Sequence, residues 1–505
     1  MYTFDWLVKR SKLSPDKTAL VDLATDRKIT YKMFNKRASA FANFLIEKLN
    51  LNAGDRIAIL AYNSSDYIEV LYGCAKAGVI LVCLNWRLSS NELKFILQDS
   101  NPKALLYDTD FSNKVTELKD LEFLESYICF SKNTFSDSYY YEEIIKSYSS
   151  KIITMPPRKY EEIWHLLYTS GTTGNPKGVI QTFGMVFYNA INISLGSDLT
   201  SNDVTLNLLP FFHTGGLNLY TNPTIHIGGT ALIMRTFDPS KTLKVLSESA
   251  TLIFAVPAIY RLLSQHPDFD RTNFSTMREW ESGGEKMPVP LLKLYEKKGI
   301  VIKQGFGMTE TGPTVFLIDK ENALKKAGSV GRPMLHVEVR CVDENNNDLP
   351  PGHRGEMLIK GPGVTPGYWN QPDKTRESID EDGWLHSGDV IEVDEDGYYY
   401  IVDRIKDMYI SGGENVYPAE IENILYKIPQ ISEAAIIGVP DDKWGEAGRA
   451  FLSFKPNEKV SEDVIRKYLK ENIADYKIPK SYRFLDNLPR NAAGKILKNE
   501  LRKLS

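Results

Sequence analysis

A layered α/β fold, a large N-terminal part of stacked sheets followed by a small mobile α+β domain, is predicted by three features of the 505-residue chain. Short apolar runs alternate with amphipathic helical stretches through most of the first 400 or so residues. Around Gly388 to Tyr400 the texture changes to acidic turns and strands, GDVIEVDEDGYYY. After Asp403 about a hundred residues again mix strand and helix signals, the size of one compact unit.

The elements follow in order. From Tyr31 to Leu49 the residues Phe34, Ala38, Phe41, Ala42 and Leu45 recur at helical spacing, and Arg56 to Ala61 (RIAILA) reads as a buried strand. Asp66 to Ala77 sets Tyr67, Ile68, Leu71, Tyr72 and Ala75 on one helical face, and Val79 to Leu84 is a second apolar run between Gly78 and Asn85. Strand, helix, strand is the signature of a parallel sheet. Further strands are expected at Lys103 to Tyr107, Thr230 to Met234, Thr251 to Val256 and Lys297 to Gln304. In the C-terminal unit Ala434 to Val439 and Ala450 to Lys455 read as strands. Asp463 to Ile473 carries Val464, Ile465, Tyr468 and Leu469 as a helical stripe.

Composition narrows the function classes. Lys plus Arg is 61 and Asp plus Glu is 65, a net charge of −4, too near neutral for a chain whose main partner is a nucleic-acid backbone. With 42% hydrophobic and 25% charged residues the chain is an ordinary globular one. Cys74, Cys83, Cys129 and Cys341 form no CxxC pair, which fits a reducing compartment. The start MYTFDWLVKRSK has no basic region followed by an apolar stretch, so no secretion signal is expected. The longest uncharged apolar run, Gly78 to Trp86, is far short of the ~20 residues of a membrane span.

Chemistry concentrates in a few glycine-rich segments. Tyr168 to Val179 (YTSGTTGNPKGV) packs hydroxyls, glycines and Lys177 into one loop whose N–H groups can approach phosphate oxygens closely. It lacks the GxxxxGK[ST] spacing, because Pro176 stands five positions after Gly171. Gln304 to Thr311 (QGFGMTET) offers Phe306 as a stacking surface for a purine and Glu310 as an oxygen ligand for Mg2+. Ser282 to Glu285 (SGGE) could line a flat base. Asp389 in HSGD suits a ribose diol, and Arg404 in DRIKD could add donors. Lys495 follows a glycine in PRNAAGKILK, and His213 sits in PFFHTGG. No HExxH, GxSxG or Cys/His metal spacing occurs, so neither a zinc hydrolase nor a serine esterase is supported.

In this order the segments YTSGTTGNPKG, QGFGMTE, GWLHSGD, DRIKDMYISGGENVYPAEIE and NAAGK resemble the acyl- and aryl-CoA ligases of the adenylate-forming (ANL) superfamily, with bacterial fatty-acyl-CoA synthetases nearest. The resemblance covers nearly the whole chain. It implies residues 1–405 as the domain holding the ATP and acyl pockets, and 406–505 as a mobile lid with its hinge at Lys406. ATP, Mg2+ and CoA are the implied co-substrates. A carboxylic acid would be activated as acyl-AMP with release of pyrophosphate, then passed to CoA with release of AMP.

Residue by residue, the resemblance implies that Thr169, Ser170, Gly171, Thr172, Thr173, Gly174 and Lys177 hold the β- and γ-phosphates. Glu310 would hold Mg2+ with Thr309 near the α-phosphate. Gly284, Gly305 and Phe306 would surround adenine, and Asp389 with Arg404 would bind ribose. Lys495 would bridge the acid and the α-phosphate, while Gly412 and Gly413 would line the pantetheine passage. His213, Val256, Gly283, Gly307 and Met308 would line the acyl pocket.

IFAVPAIY carries no charge, and PFFHTGGLNLY none beyond a histidine proton, which favours a medium- or long-chain fatty acid. The alternatives are an aryl acid or o-succinylbenzoate, and an adenylating subunit that loads a carrier protein. Leu217 stands where some long-chain synthetases carry a gating aromatic, and Phe183 where many relatives carry histidine. A cytoplasmic protein is expected, with room for peripheral membrane contact and for a homodimer.

Overall fold

The computed structural model describes residues 1–132, 138–149, 151–169, 176–411, 414–441, 444–490 and 496–504. Among them, two large sheets make up the N-terminal part. One runs in the order Lys177–Thr182, Ile163–Thr169, Ile80–Cys83, Arg56–Leu60, Ala104–Tyr107, Ser126–Cys129, Ser138–Tyr140. Its members are parallel except for the antiparallel pair Ile163–Thr169 and Lys177–Thr182 at one edge. The other sheet centres on the parallel strands Ile302–Gly307, Glu279–Ser282, Leu252–Ala255, Val204–Asn207, Thr230–Ile233 and Thr18–Asp22.

The helices expected after Tyr31 and Asp66 span Tyr31–Glu47 and Ser65–Ala77. Thr30 and Ser64 cap their first turns by accepting from Met33 N and Tyr67 N, which satisfies donors that the helix itself leaves open. Their apolar faces, with Phe34, Phe41, Ile68 and Leu71 wholly buried, join Ile57, Leu81, Ala231 and Ile233 in one core shared by the two sheets. Burial of each such side chain contributes roughly 1.5–3 kcal/mol.

Two expectations need correction. Lys297 to Val301 is not strand: the helix Val289–Glu296 ends there and Gly299 turns the chain with φ +74°, so the strand begins at Ile302. Nor does the antiparallel texture wait for Gly388. Glu338–Val342 and Arg354–Lys360 already belong to a four-stranded antiparallel sheet completed by Leu385–Val393 and Tyr399–Arg404. Turn residues such as Asn345 to Asp348 and Gly352 separate these strands, a hairpin signal at the residue level.

The C-terminal unit is a sheet of Glu414–Val416, Tyr409–Ser411, Gly445–Phe454, Ile431–Asp441 and Ser481–Phe484. Helices Pro418–Leu425 and Glu462–Asn472 bury Ile421, Leu425, Ile465 and Leu469 against Ile436 and Leu452. Lys406 lies between the last strand of the four-stranded sheet and the first strand of this one.

Candidate active site

Thr169 and Lys177 face each other across the antiparallel pair Ile163–Thr169 and Lys177–Thr182, so the two ends of the glycine-rich motif are pinned side by side. Ser170, Gly171, Thr172, Thr173 and Gly174 lie outside the described residues. The Lys177 ammonium sits over the Tyr368 ring, 4.6 Å from its centre. The Tyr368 hydroxyl donates to Glu310 Oε1 at 3.1 Å. Thr365 N donates to the Glu310 carbonyl at 2.8 Å, Thr365 Oγ1 to the Ile180 carbonyl at 2.7 Å, and Trp369 N to the Gly178 carbonyl at 2.7 Å. Cation, phenol and carboxylate are thus gathered from three separate segments. Nothing in GPGVTPGYWN singles out Tyr368 as sequence, because a lone aromatic after a glycine reads as core.

Thr309 and Glu310 form a short 3-10 turn after the strand Ile302–Gly307. Burial pushes the Glu310 carboxyl above the usual carboxylate range, and the Tyr368 hydrogen bond with the charges of Arg404 and Lys177 pulls it partly back. Gln181 Nε2 donates to the Thr309 carbonyl at 2.9 Å. Asn218 Nδ2 donates to Gln181 Oε1 at 3.1 Å and lies 3.3 Å from His165 Nε2. Desolvation pushes His165 down to about 3, so it is neutral and accepts. These polar groups interrupt apolar runs, and only their mutual contacts in the fold reveal them as a network.

The second group sits at the C-terminal ends of adjacent parallel strands, where open α/β sheets bind ligands. Val256 follows Leu252–Ala255, Gly283 and Gly284 follow Glu279–Ser282, and Gly305, Phe306 and Gly307 end Ile302–Gly307, followed by Met308. A Cβ on Gly283 would lie 3.1 Å from the Gly305 carbonyl oxygen and 3.1 Å from Phe254 Cζ; one on Gly284 would lie 3.5 Å from Val256 Cγ1. On Gly307 it would fall 1.7 Å from the Pro313 carbonyl oxygen, so only glycine fits there. Phe306 packs 6.2 Å from Phe316 between ring centres.

His213 leaves the same sheet edge after Val204–Asn207, and its Nδ1 accepts from Gly215 N at 3.1 Å. Desolvation pushes its pKa down to about 4, so no charge enters here at neutral pH. Leu217 opens a π-helical turn, Leu217–Thr221, and is wholly buried in the core between the sheets. Phe183 stacks on Trp164 at 5.0 Å with 13° between the planes.

The third group is an ion pair. Asp389 and Arg404 are register partners on neighbouring strands, with Nε 2.7 Å from Oδ1, and Asp389 is buried. The Lys406 ammonium is pushed down by burial and by Arg404, while Asp407 and Asp389 oppose that shift. Gly412, Gly413 and Lys495 lie outside the described residues.

The donor set fits Mg2+. Among the described residues no cluster of three His, Cys, Asp or Glu could hold a metal. A single carboxylate such as Glu310 is a donor that suits a hard cation whose other ligands are phosphate oxygens and water.

Comparison with known proteins gives this geometry a family. Residues 7–369 match the AMP-binding enzyme family and residues 420–495 the AMP-binding enzyme C-terminal domain. A feruloyl-CoA synthase from Amycolatopsis is 37% identical over 99% of this chain and 98% of its own. A 2-succinylbenzoate–CoA ligase from Bacillus anthracis is 35% identical over the same shares, and the long-chain-fatty-acid–CoA ligase FadD13 of Mycobacterium tuberculosis 36%.

Among solved structures, ATP-bound MatB from Rhodopseudomonas palustris superposes with TM-score 0.91 at 29% identity, covering 99% of this chain and 98% of that one. The apo form of the same protein gives 0.81 at 29%, covering 99% of each chain. The o-succinylbenzoate-CoA synthetase MenE of Bacillus subtilis with ATP and magnesium gives 0.88 at 32%, covering 99% of this chain and 100% of that one. With both family domains matched along the chain, and a site whose carboxylate, cation and glycine-lined strand ends suit ATP, Mg2+ and CoA, the chain belongs to the AMP-binding enzyme family as an AMP-forming acid–CoA ligase.

Proposed function

We infer that the acid is one with an uncharged, apolar tail, foremost a medium- or long-chain fatty acid. The observation that carries this reading is the lack of formal charge in the segments leaving the strand ends beside Gly283 and Gly307. Residues 209–220 and 253–260 hold no Asp, Glu, Lys or Arg, and His213 is neutral. A second carboxylate would be stranded there without a counter-charge. An aromatic acid is the second reading, favoured by the 37% identity to a feruloyl-CoA synthase.

In the first half-reaction an acid oxygen attacks the α-phosphorus of ATP, the bond to the bridging oxygen breaks, and pyrophosphate leaves. Thr169 with Ser170 to Gly174 and Lys177 would hold the β- and γ-phosphates. Glu310 would hold Mg2+ beside Thr309, the metal supplying charge neutralisation for the phosphates when bound. Gly284, Gly305 and Phe306 would enclose adenine, and Asp389, oriented by Arg404, would accept from the ribose hydroxyls. Lys495 would meet the negative charge that gathers between acid and α-phosphate, and loss of such preorganised stabilisation costs on the order of 10²–10³ in rate.

In the second half-reaction the CoA sulfur attacks the acyl carbon and AMP departs, the thiol proton passing to solvent. Residues 406–505 would turn about Lys406, withdrawing Lys495 and bringing Gly412 and Gly413 to the pantetheine arm. Among the described residues no helix is long and apolar enough to cross a membrane. Cys74, Cys83, Cys129 and Cys341, all buried and forming no CxxC pair, support a reducing, cytoplasmic compartment.

A pyrophosphate-release screen with ATP, Mg2+ and CoA tests the reading over C6 to C18 fatty acids, benzoates, cinnamates and o-succinylbenzoate. Turnover confined to the aromatic acids would replace the first reading by the second. Release with none of them would remove both.

A further inference from the structure

Among the described residues three guanidinium groups reach between the small C-terminal unit and the larger part: Arg354, with Nη1 3.8 Å from Glu420 Oε2, and, on the face beside Glu285, Arg261 and Arg490. Arg490 clasps Glu433 of its own unit, with Nε and Nη2 at 3.0 and 2.6 Å from Oε1. Its Nη1 reaches across to Glu285 Oε1 at 3.2 Å. One residue before Glu433, the Ser432 carbonyl accepts from Arg261 Nη1 at 3.1 Å, and Arg261 belongs to the helix Pro257–Ser264 of the larger part.

The positions of these groups matter more than their number. Glu285 directly follows Gly283 and Gly284 in the loop after Glu279–Ser282. Arg490 pairs as an isolated antiparallel bridge with Ile496, the residue immediately after Lys495. The bridged residues Arg490 and Ile496 are therefore tied through one side chain to the loop that follows Glu279–Ser282.

We propose that Glu285 and Arg490 are positioning residues for adenylation: their ion pair holds the C-terminal unit against the loop after Glu279–Ser282 in the arrangement used for adenylation, and it parts for the CoA step. The proposal rests on the two-arrangement reading given above. The division of labour within the pair follows from geometry. Arg490 stays clasped to Glu433 in either arrangement, since both lie in one unit, whereas its bond to Glu285 exists only while the units meet on this face. Glu433 is additionally fixed by Leu488 N, which donates to Oε2 at 3.0 Å, so the arginine is presented on a rigid support. The pair is partly exposed, with side chains 23% and 26% accessible. Its effect belongs in the modest range of such pairs, a few-fold to about tenfold.

The test uses the full chain and the best acid of the screen, and measures the half-reactions separately. Acid-dependent ATP–pyrophosphate exchange reports adenylation, and conversion of supplied acyl-AMP with CoA reports thioester formation. Glu285→Gln, which spares the Arg490–Glu433 clasp and hence the folding of the C-terminal unit, should slow exchange about three- to tenfold and leave thioester formation unchanged or faster. Glu285→Asp should restore most of the exchange rate. Equal loss in both half-reactions, or no loss in exchange, would overturn the latch. Lys495→Ala, run beside it, separates the two claims. If it abolishes exchange and spares thioester formation, the two-arrangement reading stands whatever Glu285 does; if it harms both alike, that reading falls and the latch with it.

Discussion

The Tyr368 hydroxyl donates to Glu310 Oε1 at 3.1 Å while the Tyr368 ring carries the Lys177 ammonium on its face. One side chain thus spaces the phosphate-side cation from the carboxylate that suits the metal. A hydrogen bond to a charged group contributes roughly 1.5–3 kcal/mol, and in Tyr368→Phe it is lost while the ring under Lys177 remains. Burial already raises the Glu310 pKa, and the Tyr368 bond helps hold it down. Removing that bond raises the pKa further, and if Glu310 holds the metal as proposed, it is the ionised form that would do so, so activity should fail at a higher pH as pH is lowered. We expect pyrophosphate release by Tyr368→Phe to fall about tenfold at pH 7 and its acidic limb to shift upward. An unshifted limb would show that Tyr368 does not govern Glu310.

The proposed acyl pocket yields a prediction about selectivity. A Cβ on Gly283 would approach Phe254 Cζ to 3.1 Å, tighter than ordinary contact, and Phe254 in turn packs 6.3 Å from Tyr220 between ring centres. Tyr220 cannot give way easily, because its hydroxyl binds the buried Glu281 and Ser197. Gly283→Ala should therefore narrow the site and cut turnover of bulky acids at least tenfold relative to the shortest acid accepted. Phe254→Ala should shift preference the other way. Competition between acids of different bulk, read as ratios of kcat/KM, decides both.

Much of this was legible in the sequence, and the exceptions share a cause. The helices at Tyr31 and Ser65 and the parallel strands between them follow from periodicity, because one apolar face meets one core. Gly307 stands out in the sequence as part of a glycine-rich segment, and the structure supplies a reason for it in the close passage of Pro313, which leaves no room for a side chain. Tyr368, Gln181 and Asn218 do not stand out, since their significance lies in contacts between segments far apart in sequence: Tyr368 with Glu310, Gln181 with Thr309. The Glu285–Arg490 pair is hidden for the same reason, each residue alone reading as a solvated surface charge.

Stability should depend sharply on one buried pair. Lys76 Nζ lies 2.6 Å from Asp5 Oδ2, and both residues are almost wholly buried. Asp5 also accepts from Val8 N at 2.9 Å, capping the first helix, and from Met155 N at 2.8 Å. Lys76→Met would leave that carboxylate buried without its cation, a change that costs about 3–5 kcal/mol. Asp5→Asn in the same chain removes the stranded charge and keeps a capping oxygen. We expect the single variant to lower the urea midpoint clearly and the double variant to recover most of it. A double variant no better than the single would mean that packing around the Lys76 stem, not the stranded charge, sets the loss.

Three histidines make the fold sensitive to acid. Desolvation pushes His165 down to about 3 and His213 and His226 to about 4, against an ordinary value near 6.5. They are neutral in the folded chain and take up protons below about pH 6.5 once it unfolds, so the unfolded state binds more protons and stability falls as pH falls. Their contribution is complete above about pH 6.5 and is lost progressively toward pH 4, on the order of 1–2 kcal/mol per histidine by pH 5. Glu69, raised to about 7 by burial, acts in the opposite sense: its protonated form is favoured by folding, so its contribution is present at low pH and lost as pH rises through 7. His226 provides the clean probe, because it packs edge-on against Trp6 at 4.6 Å and is not among the residues proposed for the nucleotide or acyl sites. His226→Phe keeps an aromatic ring there and removes the proton acceptor. Its Tm should drop less between pH 7 and pH 5 than that of the parent chain. Parallel declines would show that His226 titrates alike in both states and that the acid sensitivity arises elsewhere.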